Sequence, residues 1–101
     1  DPGIGFGKTV PQNFSLLAQQ RALLALGVPV LAGWSRKSSL AAVTGRSLAQ
    51  VATMDARERL VPSVTAALLA VQNGAQVVRV HDVCETAQAL KVWQAMTAQQ
   101  L

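Results

Sequence analysis

The sequence has no tyrosine and one cysteine, and its few aromatic side chains are Phe6, Phe14, Trp34 and Trp93. So sparse and scattered a set cannot build a platform for stacked nucleic-acid bases. With Cys84 alone, no internal disulfide can form. Without a nearby base or metal-ligand partner, Cys84 reads as a small packing residue. No apolar run reaches membrane-spanning length and no secretory leader is visible, so the expected compartment is the cytoplasm, with no membrane partner.

Charge is scarce as well. Only 14% of residues are charged, with nine Lys and Arg against five Asp and Glu, for a net charge of +4. No run of like charge and no low-complexity stretch occurs, which excludes a disordered or polybasic tail. The basic residues are scattered rather than gathered on one face, so a small anion is the expected ligand and nucleic acid is not. His, Cys, Asp and Glu nowhere stand at metal-ligand spacing. What the chain has in quantity is apolar residues, 50% of the total, enough for a sizeable core.

Apolar residues recur at helical spacing over residues 13–26, and Gly27 supplies a stop. Residues 28–34 (Val-Pro-Val-Leu-Ala-Gly-Trp) form a short, β-branched run suited to a buried parallel strand, with Pro29 near its start. A brief helix is predicted over 39–43 and a loop over 45–54. Asp55 and Glu58 have capping-box spacing, predicting a helix over 55–73 that ends at Gly74 and bends or breaks around Pro62. Residues 75–81 read as a second buried strand, and Asp82 with Glu85 starts a last helix carrying Val83, Leu90 and Trp93. Two short strands joined through a helix must be parallel, so the class is α/β. Two such strands cannot bury both faces of a sheet, and Asp1 opens the sequence with no element before it. The expectation is a chain that begins in mid-domain and needs partner strands.

The unusual polar residues follow the C-terminal ends of the strands, the rim where parallel α/β folds bind ligands. Arg79 and His81, two apart on a strand, are expected to project together while Val78 and Val80 project to the other side. An Arg fork with a neighbouring imidazole suits phosphate oxygens. Spacing alone allows equally that Arg79 pairs with a structural carboxylate and His81 satisfies a backbone group. Ser35-Arg36-Lys37-Ser38 concentrates cations and hydroxyls at the same rim, where the alternative is a solvated basic turn. The opening Asp1-Pro2-Gly3-Ile4-Gly5-Phe6-Gly7-Lys8 fails both nucleotide-loop spacings, because Pro2 and Lys8 stand where glycines are needed, and by itself reads as a flexible loop.

Taken together, Asp1 to Lys8, Gly33-Trp34-Ser35-Arg36-Lys37-Ser38 and Arg79-Val80-His81-Asp82-Val83 resemble the dihydropteroate synthase family, in family order and across the whole chain. That resemblance implies the C-terminal part of a (β/α)8 TIM barrel, from the end of its sixth strand through its eighth helix, with the earlier units absent. It implies condensation of 7,8-dihydropterin-6-ylmethyl diphosphate with p-aminobenzoate to give 7,8-dihydropteroate and diphosphate, in a homodimer that sulfonamides target. It assigns the pterin to Asp1, Gly33, Lys37 and Arg79, the p-aminobenzoate to Phe6, Lys37 and Ser38, and the diphosphate to Arg79 and His81. Mg2+ would assist, with its ligands upstream of this chain, and no protein nucleophile is called for. One departure is Pro62, where the family commonly has Gly in a Gly-Ser pair. The rivals are a pterin-binding methyltransferase barrel, which the Ser-Arg-Lys-Ser and Arg-Val-His motifs disfavour, and a noncatalytic, self-associating fragment. The isolated chain is expected to be inactive.

Overall fold

In the computed structural model the described residues are 1–45 and 57–100. Helix α1 (Val10–Ala18) opens with a complete capping box: the Gln12 amide N–H donates to Thr9 Oγ1 at 3.2 Å, and the Thr9 amide N–H donates to Gln12 Oε1 at 2.9 Å. The helix predicted over 13–26 is thus in two parts, because after Ala18 the chain tightens into a 3-10 helix, Gln20–Leu26. The cause is Gln20, which is buried and donates from Nε2 to the carbonyls of Ala70 at 2.9 Å and Asn73 at 3.2 Å. Arg21 donates to the Gln72 carbonyl, and Asn73 returns a bond from Nδ2 to the Leu17 carbonyl at 2.9 Å. The bonds from Gln20 and Arg21 satisfy carbonyls at the end of a later helix that have no partner within it, and the one from Asn73 does so at the end of α1. Gly27, at φ 74°, ends the segment in a left-handed cap, as predicted.

Strand β1 (Leu31–Ala32) pairs in parallel with β2 (Val77–Val78), in the register Leu31 with Val77 and Ala32 with Val78. The parallel prediction holds, but both strands are shorter than the predicted 28–34 and 75–81. The ladder extends through Gln76 N–H to Val30 O at 3.0 Å and Arg79 N–H to Ala32 O at 3.0 Å. It stops where Pro29 has no N–H to donate and where the chain turns after Trp34, closed by Lys37 N–H to Trp34 O at 3.1 Å.

Helix α2 (Ser38–Val43) follows that turn, and α3 (Leu60–Gln72) leads back to β2. The break expected around Leu60 to Pro62 falls at Leu60, where α3 begins after a turn over 57–59; Pro62 then sits in the first turn, where no intrahelical donor is required, and does not bend the helix. The predicted start at Asp55 and most of the predicted loop lie outside the described residues. Arg59 occupies the cap of α3 without a side-chain capping bond. Helix α4 (Val83–Thr97) begins after Asp82, yet the predicted Asp82–Glu85 capping box does not form: Asp82 makes no side-chain capping bond, and its Oδ1 accepts from Arg36 instead.

The core joins Ile4, Leu17, Ala32, Trp34, Leu40, Ala66, Ala70 and Ala75, with Phe14 partly buried against it. Trp34, 2% exposed, packs its ring 5.0 Å from that of Phe14. Alanines at 66, 67 and 70 are the buried apolar residues of α3, and their small side chains let the helix lie close to β2. Val28, Val77, Val83, Val92 and Met96 remain exposed, so one sheet layer and its helices leave apolar surface uncovered, as two strands must.

Candidate functional site

The rim at the C-terminal ends of β1 and β2 assembles from three stretches of chain. The first is the glycine-rich opening, which is held rather than loose. Lys8 Nζ donates to the carbonyls of Gly3 at 2.8 Å and Phe6 at 2.9 Å, and the Gly3 N–H donates to Asp1 Oδ1 at 2.8 Å. The Gly5 N–H donates to the buried Asn13 Oδ1 at 3.2 Å, and Asn13 Nδ2 donates to the buried Ser39 Oγ at 2.9 Å, tying this turn to α2. A lysine and an asparagine thus supply the order that the glycines alone do not.

The second stretch is the turn after β1. Arg36 has φ 60°, a left-handed conformation uncommon outside glycine. It is fixed at both ends: its N–H donates to Ser63 Oγ at 2.8 Å, and its guanidinium donates to Asp82 Oδ1 at 3.1 Å. The alternative of a solvated basic turn therefore fails for Arg36, whose partners come from α3 and from the cap of α4. Lys37, next in the chain, reaches back over the opening loop. Its Nζ stands 4.6 Å from the centre of the Phe6 ring, a cation–π contact. A Cβ on Gly5, at φ 86°, would stand 3.1 Å from Lys37 Cδ, so the lysine stem lies on backbone.

The third stretch leaves β2. Arg79 lies across the backbone of Gly33, where an added Cβ would come within 3.0 Å of the Arg79 Cζ. Its Nη1 is 3.8 Å from Asp1 Oδ2, so the carboxylate beside Arg79 belongs to another predicted site residue. His81 meets Ser35: the His81 backbone N–H donates to Ser35 Oγ at 3.1 Å, and Nδ1 stands 2.7 Å from the same oxygen. Gly33, Ser35, Arg36, Lys37, Arg59, Arg79, Val80 and His81 enclose a cavity of about 420 Å³. Its wall carries Arg36, Lys37, Arg59 and Arg79, a lining suited to an anion carrying more than one charge.

Of the predicted residues, Gly33, Lys37, Arg79 and His81 share this cavity. Asp1 joins through Arg79 and Phe6 through Lys37. Ser38 is exposed at the start of α2, and no hydrogen bond or ion pair links its side chain to the others among the described residues. The predicted alternation fails at one position. Val80 borders the cavity with Arg79 and His81, because regular pairing ends at Arg79. Asn13, Ser63 and Asp82 support the site without having been predicted. Asp82 alone carried a signal, as the neighbour of His81 within a recognised motif.

Among the described residues no three of His, Cys, Asp and Glu gather to hold a metal ion. The cationic wall does not fit one, because it repels a bare divalent cation. No helix among the described residues is long and apolar enough to cross a membrane.

The sequence and fold of the chain recur in known proteins. A curated dihydropteroate synthase of Haemophilus influenzae is 46% identical over 95 residues, covering 94% of this chain and 32% of that protein. The structure of the Xanthomonas albilineans dihydropteroate synthase in complex with 7,8-dihydropteroate superposes with a TM-score of 0.87 at 51% identity, over 99% of this chain and 36% of that one. The same enzyme with 4-aminobenzoic acid gives a TM-score of 0.87 at 51% identity, over 99% of this chain and 34% of that one. The chain spans about a third of the length of its curated relatives, 32% in the Haemophilus case. These structural relatives are TIM barrels, and the two strands with their helices are part of such an α/β barrel. A family model described as "Pterin binding enzyme" matches residues 1–81, and the chain belongs to that family.

Proposed function

We propose that the protein carrying this chain is a dihydropteroate synthase, which condenses 7,8-dihydropterin-6-ylmethyl diphosphate with p-aminobenzoate and releases 7,8-dihydropteroate and diphosphate. The observation that carries the reading is the cationic cavity in which Arg79 lies over Gly33 with His81 beside it. A leaving diphosphate gains negative charge as its C–O bond to the pterin methylene breaks. An Arg fork and an imidazole N–H held in place at that point stabilise the charge without reorganising. The amine nitrogen of p-aminobenzoate then forms the new C–N bond and gives up a proton. No protein nucleophile takes part, and catalysis rests on positioning and electrostatics.

In this reading Asp1 accepts from the paired N–H donors of the pterin, for which Oδ2 is available once it parts from Arg79. Gly33 lets the ring approach the strand backbone, and Lys37 and Arg79 flank it. Phe6, Lys37 and Ser38 border the p-aminobenzoate pocket, and the Lys37–Phe6 contact supports a shared wall. Arg79 and His81 hold the diphosphate. Mg2+ would be held by residues upstream of this chain and would assist by neutralising charge on the diphosphate; the cationic wall here offers it no ligand. The proposal includes a cytoplasmic homodimer, for which the exposed Val83, Val92 and Met96 of α4 offer apolar surface, and sensitivity to sulfonamides as p-aminobenzoate mimics. The partners are small molecules, with neither nucleic acid nor membrane among them.

The test is diphosphate release by the purified full-length protein given the dihydropterin diphosphate. Release that depends on p-aminobenzoate supports the reading. Absence of release, or methyl transfer from a folate in its place, overturns it.

A further inference from the structure

Ser35 is 8% exposed, and its hydroxyl meets His81 twice: the backbone N–H at 3.1 Å and the ring Nδ1 at 2.7 Å. Among the described residues these are the only hydrogen-bond partners of Ser35 Oγ. A serine hydroxyl has one proton to give and two lone pairs with which to accept. One lone pair already takes the His81 backbone N–H. If Nδ1 also carried a proton, both lone pairs would be used and the hydroxyl proton of a buried serine would have no acceptor. If Nδ1 is bare, the hydroxyl proton lies on the 2.7 Å line to it and every group is satisfied.

We infer that Ser35 is a positioning residue that fixes His81 as its Nε2–H tautomer, so that the ring presents a proton donor to the cavity. The two contacts also set the ring plane, because the same oxygen is anchored to the His81 backbone and grips the ring edge. A neutral imidazole can donate from one nitrogen only, and which one is decided by what the other nitrogen touches. With Nδ1 spent on Ser35, the donor is on the opposite edge of the ring, and the cavity that His81 borders is lined by Arg36, Lys37 and Arg79. That orientation suits an anion's oxygen and excludes a cation, to which Nε2 would need to offer a lone pair. The inference deepens the proposed diphosphate site and rests on that reading only for the identity of the anion.

The experiment is a two-bond 1H–15N correlation of the histidine rings in ligand-free full-length protein, at a pH where the ring is neutral. The His81 signals are assigned by their loss in His81→Gln. The expected result is a bare Nδ1 and a protonated Nε2 in the wild type, a mixture of tautomers in Ser35→Ala, and the wild-type pattern in Ser35→Thr, which keeps the hydroxyl. Inorganic diphosphate, titrated calorimetrically, should bind Ser35→Ala roughly two- to tenfold more weakly than wild type, the size of one net hydrogen bond, with Ser35→Thr near wild type. A protonated Nδ1 in the wild type, or the same tautomer ratio in wild type and Ser35→Ala, overturns the inference. The diphosphate reading fails separately: His81→Gln would then bind inorganic diphosphate as tightly as wild type, whatever the tautomer.

Discussion

Replacing Gly33 with alanine separates the site from the fold. The added Cβ would stand 3.0 Å from Arg79 Cζ and press on the rest of the guanidinium. Gly33 does not have a positive φ, so the backbone accepts alanine without strain. The obstacle is the tip of a flexible side chain that is 58% exposed and can swing away into solvent. The thermal midpoint should therefore move by no more than a surface substitution does, about 0.5 kcal/mol. The displaced Arg79 is a different matter. A hydrogen bond to a charged partner is worth roughly 1.5 to 3 kcal/mol, which corresponds to a loss of about ten- to a hundredfold. Steady-state kinetics of full-length Gly33→Ala should show kcat/KM for the dihydropterin diphosphate falling by that factor, with thermal unfolding near wild type. Unchanged kcat/KM would mean that Arg79 does not act from the place where Gly33 lets it lie. Equal losses of stability and activity would mean that the glycine serves packing.

Further outcomes follow from the same contacts. Lys37→Ala should raise the Michaelis constants of both substrates, since Lys37 lines the cavity and lies over Phe6; unchanged constants for both would remove it from the shared wall. Asp1→Asn should weaken the pterin selectively, because an amide offers a donor where the ring needs an acceptor; equal pterin affinity in a binding titration would exclude Asp1 from that role. Asp82→Ala should lower stability by about 1 kcal/mol, measured by urea unfolding. It leaves Arg36, held at φ 60° and 30% exposed, without its carboxylate, and the guanidinium's remaining access to water keeps the cost at the low end of that for a stranded charged group. A midpoint identical to wild type would show that the turn is held by its bonds to Ser63 and Arg59 without the carboxylate.

The parallel α/β pattern was legible because strand periodicity and the two apolar runs are local properties of the chain. The rim was legible because a parallel pair places its following loops at one end. Lengths were not. The break between α1 and the 3-10 helix comes from Gln20 seeking the carbonyls of Ala70 and Asn73, a demand set by residues some fifty positions away. The failed capping box at Asp82 also goes with a distant contact: its spacing to Glu85 is right, but the carboxylate is turned towards Arg36, 46 positions away, with Oδ1 accepting from the guanidinium. Of the site, charge and motif revealed Gly33, Lys37, Arg79 and His81. Ser35 and Asp82, which stood in recognised motifs, and Ser63 and Asn13, which did not, orient these residues through pairings distant in sequence, and no local pattern encodes those pairings.

Arg79 and His81 are expected to form one diphosphate site. The measurement is a double-mutant cycle in the full-length protein, with Arg79→Ala, His81→Ala and both together, titrated with the dihydropterin diphosphate and with the same pterin lacking the diphosphate. The account predicts that each single variant weakens the diphosphate compound and that the double loss differs from the sum by roughly 0.5 to 3 kcal/mol. The bare pterin should bind His81→Ala nearly normally, and should lose far less than the diphosphate compound in the two variants that lack Arg79, which also flanks the ring. Full diphosphate affinity in either single variant, or an equal loss with bare pterin, would contradict it.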